Sequence, residues 1–181
     1  MSTLTIELPP RDTLQERNER RWTELLQDPE LARFEGRVET DRHGQIIMNP
    51  PAAPRHGRLQ SSIAHLLHAQ ATSGSVMTEC PISTADGVKA ADVAWASEET
   101  MGELGGRPCF PRAPEICVEV LSPRNTEAEI REKTALYFDA GAREVWICAE
   151  SGEMAIRAHD ENAAMVASKL FPVFPARITL R

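Results

Sequence analysis

Two carboxylates stand in stretches of chain that otherwise read as buried strand. Asp92 interrupts Val88-Lys89-Ala90-Ala91-Asp92-Val93-Ala94-Trp95-Ala96, and Glu119 interrupts Ile116-Cys117-Val118-Glu119-Val120-Leu121. Both runs are apolar at nearly every position rather than at alternate ones, the pattern of strands covered on both faces. An ionised carboxylate in such a place must be paired, hydrogen-bonded or bound to a metal, because losing water without compensation is costly. Lys133 follows, on a segment with helical spacing. Acid, acid, lysine in that order are the ingredients of metal-dependent phosphodiester hydrolysis.

The neighbours of each residue sharpen the reading. Ala90 and Ala94 flank Asp92 on its own strand face, since side chains alternate with period two, and two alanines leave room above the carboxylate for an ion or a substrate. A structural Asp bonded to a nearby turn is the alternative. Glu119 shares its face with Glu115, Cys117 and Leu121, near the C-terminal end of its strand. It is a metal ligand or one half of a buried ion pair with one of the seventeen arginines. Lys133 shares a helical stripe with Ile130, Thr134 and Tyr137, which turns it toward the sheet; the alternative is a lysine snorkelling at the stripe edge. The chain has only three lysines. Taken together, Asp92, Glu119 and the Val120 carbonyl can supply the protein share of a Mg²⁺ or Mn²⁺ site. Such an ion polarises a phosphate and acidifies a water. Lys133 can orient or deprotonate that water or stabilise developing charge.

These residues need elements to hold them. Residues 12–27 read as a charged helix that docks through Leu14, Trp22, Leu25 and Leu26, with Pro29 breaking the pattern. A hairpin follows, Arg37–Thr40 and Gln45–Met48 around the polar turn Asp41–Gly44. After the stiff loop 49–54, a helix runs from about Arg55 to Ala71 with Leu59, Ile63, Leu66, Leu67 and Gln70 on one side. Strands are predicted at 75–83, 88–96 and 114–121, the last two separated by a Gly/Pro-rich loop from Met101 to Pro114 that starts after a short helical turn at Glu98-Glu99. Thr126-Glu-Ala-Glu129 is a capping-box signature opening the Lys133 helix, and Gly141 is its stop. Arg143–Ala149 reads as another core strand, and short runs near 153–158, 164–170 and 177–180 are expected to finish the sheet. The order predicts an α/β fold, a mixed central sheet flanked by helices, with an N-terminal helical extension at 1–30 and a single domain at 31–181.

The 181 residues are 41% hydrophobic, enough to bury a core. No apolar run is long enough to span a bilayer, and the N-terminus lacks a secretory-signal pattern; a cytoplasmic location without membrane contact is the default expectation. Cys80, Cys109, Cys117 and Cys148 form no CxxC pair, so a zinc site of that type and disulfides are not expected. The formal charge of −7 disfavours a broad nucleic-acid footprint. A local patch such as Arg55, Arg58, Arg124 and Arg131, together with a divalent ion, can still reverse the field at one cleft.

The order Asp92, Glu119 resembles the PD-(D/E)XK nuclease superfamily. Pro114-Glu-Ile-Cys-Val-Glu119-Val-Leu-Ser-Pro123, then Glu132-Lys133-Thr-Ala-Leu-Tyr137 and Gly141-Ala-Arg-Glu-Val-Trp146, is similar to its Uma-two branch of restriction-endonuclease-like proteins. Gly44-Gln-Ile-Ile-Met48-Asn-Pro50 and His56-Gly57 match the hairpin and His-Gly pair of that branch. The similarity covers roughly residues 30–150. It implies a restriction-endonuclease-like core, a Mg²⁺- or Mn²⁺-dependent endonuclease acting on DNA, and Asp92, Glu119 and Lys133 as catalytic residues. It also implies Glu39 and His56 as accessory candidates, where hydrogen-bonding roles are equally open. Two positions depart from the superfamily pattern: Leu121 occupies the usual lysine slot, which moves that role to Lys133, and Ala91 replaces the usual proline. A catalytically silent nuclease fold used for binding or assembly is the alternative function. Cutting both strands of a duplex favours a symmetric homodimer.

Overall fold

The computed structural model describes residues 10–159 and 165–180. In chain order it contains α1 (Arg11–Leu26), β1 (Arg37–Thr40), β2 (Ile46–Asn49), α2 (Pro54–Gln70), β3 (Ser75–Thr84), β4 (Gly87–Ala96), α3 (Glu98–Leu104), β5 (Ile116–Val120), α4 (Glu127–Asp139), β6 (Glu144–Cys148) and β7 (Met154–Ala158). Among the described residues, β3 to β7 form one sheet in the order β3-β4-β5-β6-β7, and β1 pairs with β2 in a separate hairpin. Only β5 and β6 are parallel. A parallel pair needs a crossover, and α4 supplies it. The predicted α/β architecture, a mixed sheet flanked by helices, is the one observed.

Alternation along β4 and β5 divides the core into two layers. Val93, Ile116, Val118 and Val120 face Leu59, Ile63 and Leu67 of α2, while Ala94 and Cys117 face Tyr137 of α4. Both strands are therefore covered on both sides, which is why their sequences are continuously apolar. The α4 start has the full capping box: the Thr126 hydroxyl accepts from the Glu129 amide at 3.2 Å, and the Glu129 carboxylate accepts from the Thr126 amide at 2.8 Å. In the β1–β2 turn, Asp41 accepts from the His43 and Gln45 amides, each at 2.8 Å, and Gly44 takes φ +76°. Thr40 then ties β1 to β4, accepting from the Val88 amide at 2.8 Å and, through its carbonyl, from Lys89 Nζ at 2.9 Å.

Three expectations are corrected. Leu26 does not dock; it is 63% exposed, and the buried face of α1 is Asn18, Trp22 and Leu25. Asn18 succeeds there because its amide donates to Ser83 Oγ at 2.9 Å and to the Thr84 carbonyl at 3.0 Å. The turn at Glu98-Glu99 continues as a helix through Leu104, with Ser97 capping it by accepting from the Thr100 amide. The tail beyond β7 makes no further strand among the described residues, only the isolated bridges Ile156–Met165 and Glu153–Arg177. Its Phe171, Phe174 and Ile178 instead plug the α2 layer, with Phe174 at 4.6 Å from Trp146 between ring centroids. Residues 1–9 of the predicted extension, residue 164 of the 164–170 run, and residues 160–163 and 181 lie outside the described residues.

All four cysteines are buried and free. Burial pushes the Cys148 thiol up to about 11 and Cys109 to about 12, so they behave as small apolar side chains. His65 and His68 are exposed. No described helix is long and apolar enough to cross a membrane.

Candidate active site

The ladder between β4 and β5 pairs Trp95 with Ile116, Ala94 with Cys117 and Val93 with Val118, then stops. One further step in that register would set Asp92 opposite Glu119. Both carboxylates thus stand where the two strands part. On the other edge of β4 the β3 ladder skips the same position: pairs run Thr78–Val93 and Cys80–Ala91, and Glu79 between them takes φ +51°. It is the one non-glycine residue with positive φ among those described, and such backbone is costly for a residue with a side chain. Asp92 therefore loses its strand partner on both sides. Side chains replace them. The Asp92 carbonyl accepts from Gln60 Nε2 at 2.9 Å, and the Val120 amide donates to Asp92 Oδ2 at 2.6 Å.

Asp92 is 1% exposed and Glu119 5%, so each needs compensation. For Asp92 it comes from Arg37 at the start of β1, whose Nη2 donates to Oδ1, and from His56 Nε2 at 3.2 Å from the same oxygen. A carboxylate only accepts, so His56 donates here through its Nε2–H. Burial, then the nearby Arg37 charge, pulls the His56 pKa below its ordinary value. Arg37 is shared: Nε reaches Glu79 Oε2 at 2.8 Å, and Gln60 Nε2 donates to the other Glu79 oxygen at 2.9 Å.

Glu119 is held from α4. Lys133 Nζ donates to Oε2 at 3.1 Å and the buried Tyr137 hydroxyl to Oε1 at 2.6 Å. Lys133 also lies 3.0 Å from Glu39 Oε1, which accepts from the Ala90 amide at 2.9 Å. Burial works against the Lys133 ammonium, but Glu119 and then Glu39 outweigh it and raise its pKa. Burial likewise opposes the Glu39 anion, and the Lys133 charge and the Ala90 amide overcome it, so the Glu39 pKa falls. Tyr137 is pushed well up by burial and the Glu119 charge, so it stays a neutral donor.

The structure brings together all five side chains read from the sequence: Asp92, Glu119 and Lys133, with Glu39 and His56 beside them. They fall into two linked groups. Asp92 has Arg37 and His56; Glu119 and Glu39 share Lys133. Val120 contributes its amide to Asp92. The Arg37 guanidinium meets Asp92 beside Ala90, donating to Asp92 Oδ1 and, from Nη1, to the Ala90 carbonyl at 3.3 Å. Sequence reading missed Arg37, Gln60, Glu79 and Tyr137 as site residues. Three of them had a signal: Arg37 lies two residues before Glu39 on one strand face, Gln60 four after His56, and Tyr137 four after Lys133. Glu79 had none, because its unusual backbone leaves no mark in residue type. Among the described residues no three His, Cys, Asp or Glu side chains form a ready metal-ligand set.

A family model described as "Uma2: Putative restriction endonuclease" matches residues 13–165. The fold is similar to that of a crystal structure described as a putative nuclease belonging to DUF820 from Anabaena variabilis ATCC 29413, with a TM-score of 0.67 and 16% identity over 83% of this chain and 90% of that one. No curated protein matches.

Proposed function

We propose, from the premise that this chain belongs to the Uma2 family of putative restriction endonucleases, that it hydrolyses phosphodiester bonds in DNA with a divalent ion held by Asp92 and Glu119. One observation carries this reading: two buried carboxylates in register at the parting of β4 and β5, with an ammonium 3.1 Å from one of them.

The donor set fits Mg²⁺ or Mn²⁺, which take hard oxygen ligands from one or two carboxylates and keep waters. Asp92 and Glu119 would hold the ion, with the Val120 carbonyl as the third protein oxygen. A bound ion supplies Lewis-acid polarisation of the phosphate and an acidified water. Lys133 stays an ammonium, because two carboxylates stabilise its charge. It therefore orients the attacking water and offsets the growing phosphate charge; it does not remove the proton. Tyr137 and Glu39 fix that ammonium and Glu119 in place from both sides. His56, its pKa held below the ordinary value by burial and in contact with Asp92, keeps that carboxylate oriented. Hydrolysis adds hydroxide to phosphorus and returns a proton to the departing sugar oxygen. Cutting both strands of a duplex calls for two such sites, so we take the working unit to be a symmetric pair of chains.

The test is a plasmid-nicking assay with Mg²⁺ on the wild type, Asp92→Asn, Glu119→Gln and Lys133→Met. The wild type is expected to nick and the first two variants to lose at least about 100-fold in rate, as removal of strong transition-state stabilisation does. Equal nicking by all four would mark a contaminant and end the reading. A second reading rests on its own observation: every carboxylate oxygen of Asp92 and Glu119 already has a protein partner. That favours a silent nuclease fold used for binding, in which no Mn²⁺ uptake depends on either acid.

A further inference from the structure

The Arg37–Asp92 contact bears on how the proposed site changes state, and the inference rests on the metal reading above. Asp92 Oδ1 is the oxygen with two cation-capable neighbours, Arg37 and His56. A guanidinium and a divalent ion cannot both sit against that oxygen without strong like-charge repulsion. We propose that Arg37 is the resident counter-ion of Asp92, which the divalent ion displaces, so that guanidinium and metal compete for one carboxylate.

Three features make the exchange low in cost. Arg37 has a second seat: Nε and Nη2 both reach the Glu79 carboxylate, at 2.8 and 3.4 Å. A fork–carboxylate pair of that kind holds by itself, so leaving Asp92 does not strand the charge. Glu79 sits on the rim with 47% of its side chain exposed, against 1% for Asp92. The move is therefore outward, toward water and an arriving phosphate. Finally, Asp92 stays aimed when Arg37 leaves, because the Val120 amide still holds Oδ2 and Gln60 still holds its carbonyl. The strained φ of Glu79 belongs to the same device. It lifts that side chain out of the β3 ladder to the point where it can take Arg37.

The metal-free protein needs this cation. An uncompensated carboxylate at that depth would destabilise the fold, and Arg37 supplies the charge until an ion does. Once released but still tethered to Glu79, the guanidinium presents a planar donor edge suited to a phosphodiester oxygen.

The experiment is calorimetric Mn²⁺ titration of the full chain as wild type, Arg37→Met, Arg37→Gln, Asp92→Asn and the double variant R37M/D92N. Both Arg37 variants are expected to bind Mn²⁺ at least about fivefold more tightly than wild type, the lower end of usual coupling between linked sites. The two chains with Asn at position 92 are expected to lose that binding. Thermal unfolding gives a parallel readout: Mn²⁺ should raise the Tm of R37M more than that of wild type. A wild-type measurement keeps the idea testable should either variant fold poorly. On Mg²⁺ addition, hydrogen-exchange protection of the Arg37 guanidinium should fall. Unchanged or weaker Mn²⁺ binding in folded R37M and R37Q, or undiminished Arg37 protection, overturns the competition while Asp92-dependent binding in wild type leaves the metal reading standing. Absence of any Asp92-dependent binding in every chain overturns both.

Discussion

At the scale of single residues, the site is a chain of alternating charge in a place with little water: Glu79, Arg37, Asp92 on one side, and Glu39, Lys133, Glu119 on the other. Glu79 sits at the exposed rim; none of the other five is tolerable alone at its depth, so each is explained by its neighbours. Glu39 gives a clean test. Its pKa is lowered in the folded protein, so between that value and about 4.5 the unfolded chain binds more protons. Stability from Glu39 is therefore complete above the unfolded pKa and drains away as pH falls through the folded one. Urea unfolding should show Glu39→Gln less stable than wild type at pH 7, with the gap narrowing at pH 3. A constant gap across that range would mean that the Glu39 charge contributes nothing.

At the scale of elements, position depends on where strands stop pairing. The parting of β4 and β5 exposes Asp92 and Glu119 to side chains from three directions: β1, α2 and α4. The hairpin matters as much as the sheet, because Arg37 and Glu39 reach the site only through the docking of β1 on β4. Helix α4 delivers Lys133 and Tyr137 one turn apart, and its register begins at the capping box. Thr126→Ala should cost about 1 kcal/mol, read as a lower denaturation midpoint. Mn²⁺ affinity should be unchanged, since the cap lies on the exposed end of the helix. A large loss of metal binding would show that the first turn of α4 controls the site.

For the whole molecule, two half-cores carry the sheet, and the tail completes one of them. Phe171 and Phe174 pack on Trp146, and Ile178 joins the same cluster. Phe174→Ala should destabilise the protein by about 3 kcal/mol or more, as cavities in packed aromatic cores do, while the ion network across the strands stays intact. Measuring Tm together with Mn²⁺ binding separates the two effects. The −7 charge adds a condition of its own. For the DNA reading proposed above, a chain of this sign would need divalent cations at the site to offset its repulsion of a polyanion.

The sequence by itself was enough for the strands up to β7, the capped helix and the acid–acid–lysine order, but not for the tail, where the expected strands do not form among the described residues. The former depend on local pattern: continuous apolar runs, a four-residue cap, and helical or strand spacing. Family resemblance also brought in Glu39, and helical spacing, three residues before Leu59, turned His56 inward. Leu26 was misplaced because a lone apolar residue at a helix end reads the same whether it docks or not, and Asn18 was missed because its burial depends on acceptors in β3 that are distant in sequence. Only the tertiary structure decided that Arg37 pairs with Asp92, that Gln60 takes its carbonyl, and that Glu79 leaves the ladder in left-handed backbone. These are choices among many arginines and many acids, and they are made by which strands part and what packs into the gap. Electrostatic pairing acts in space, across dozens of residues of chain, so no spacing rule can record it.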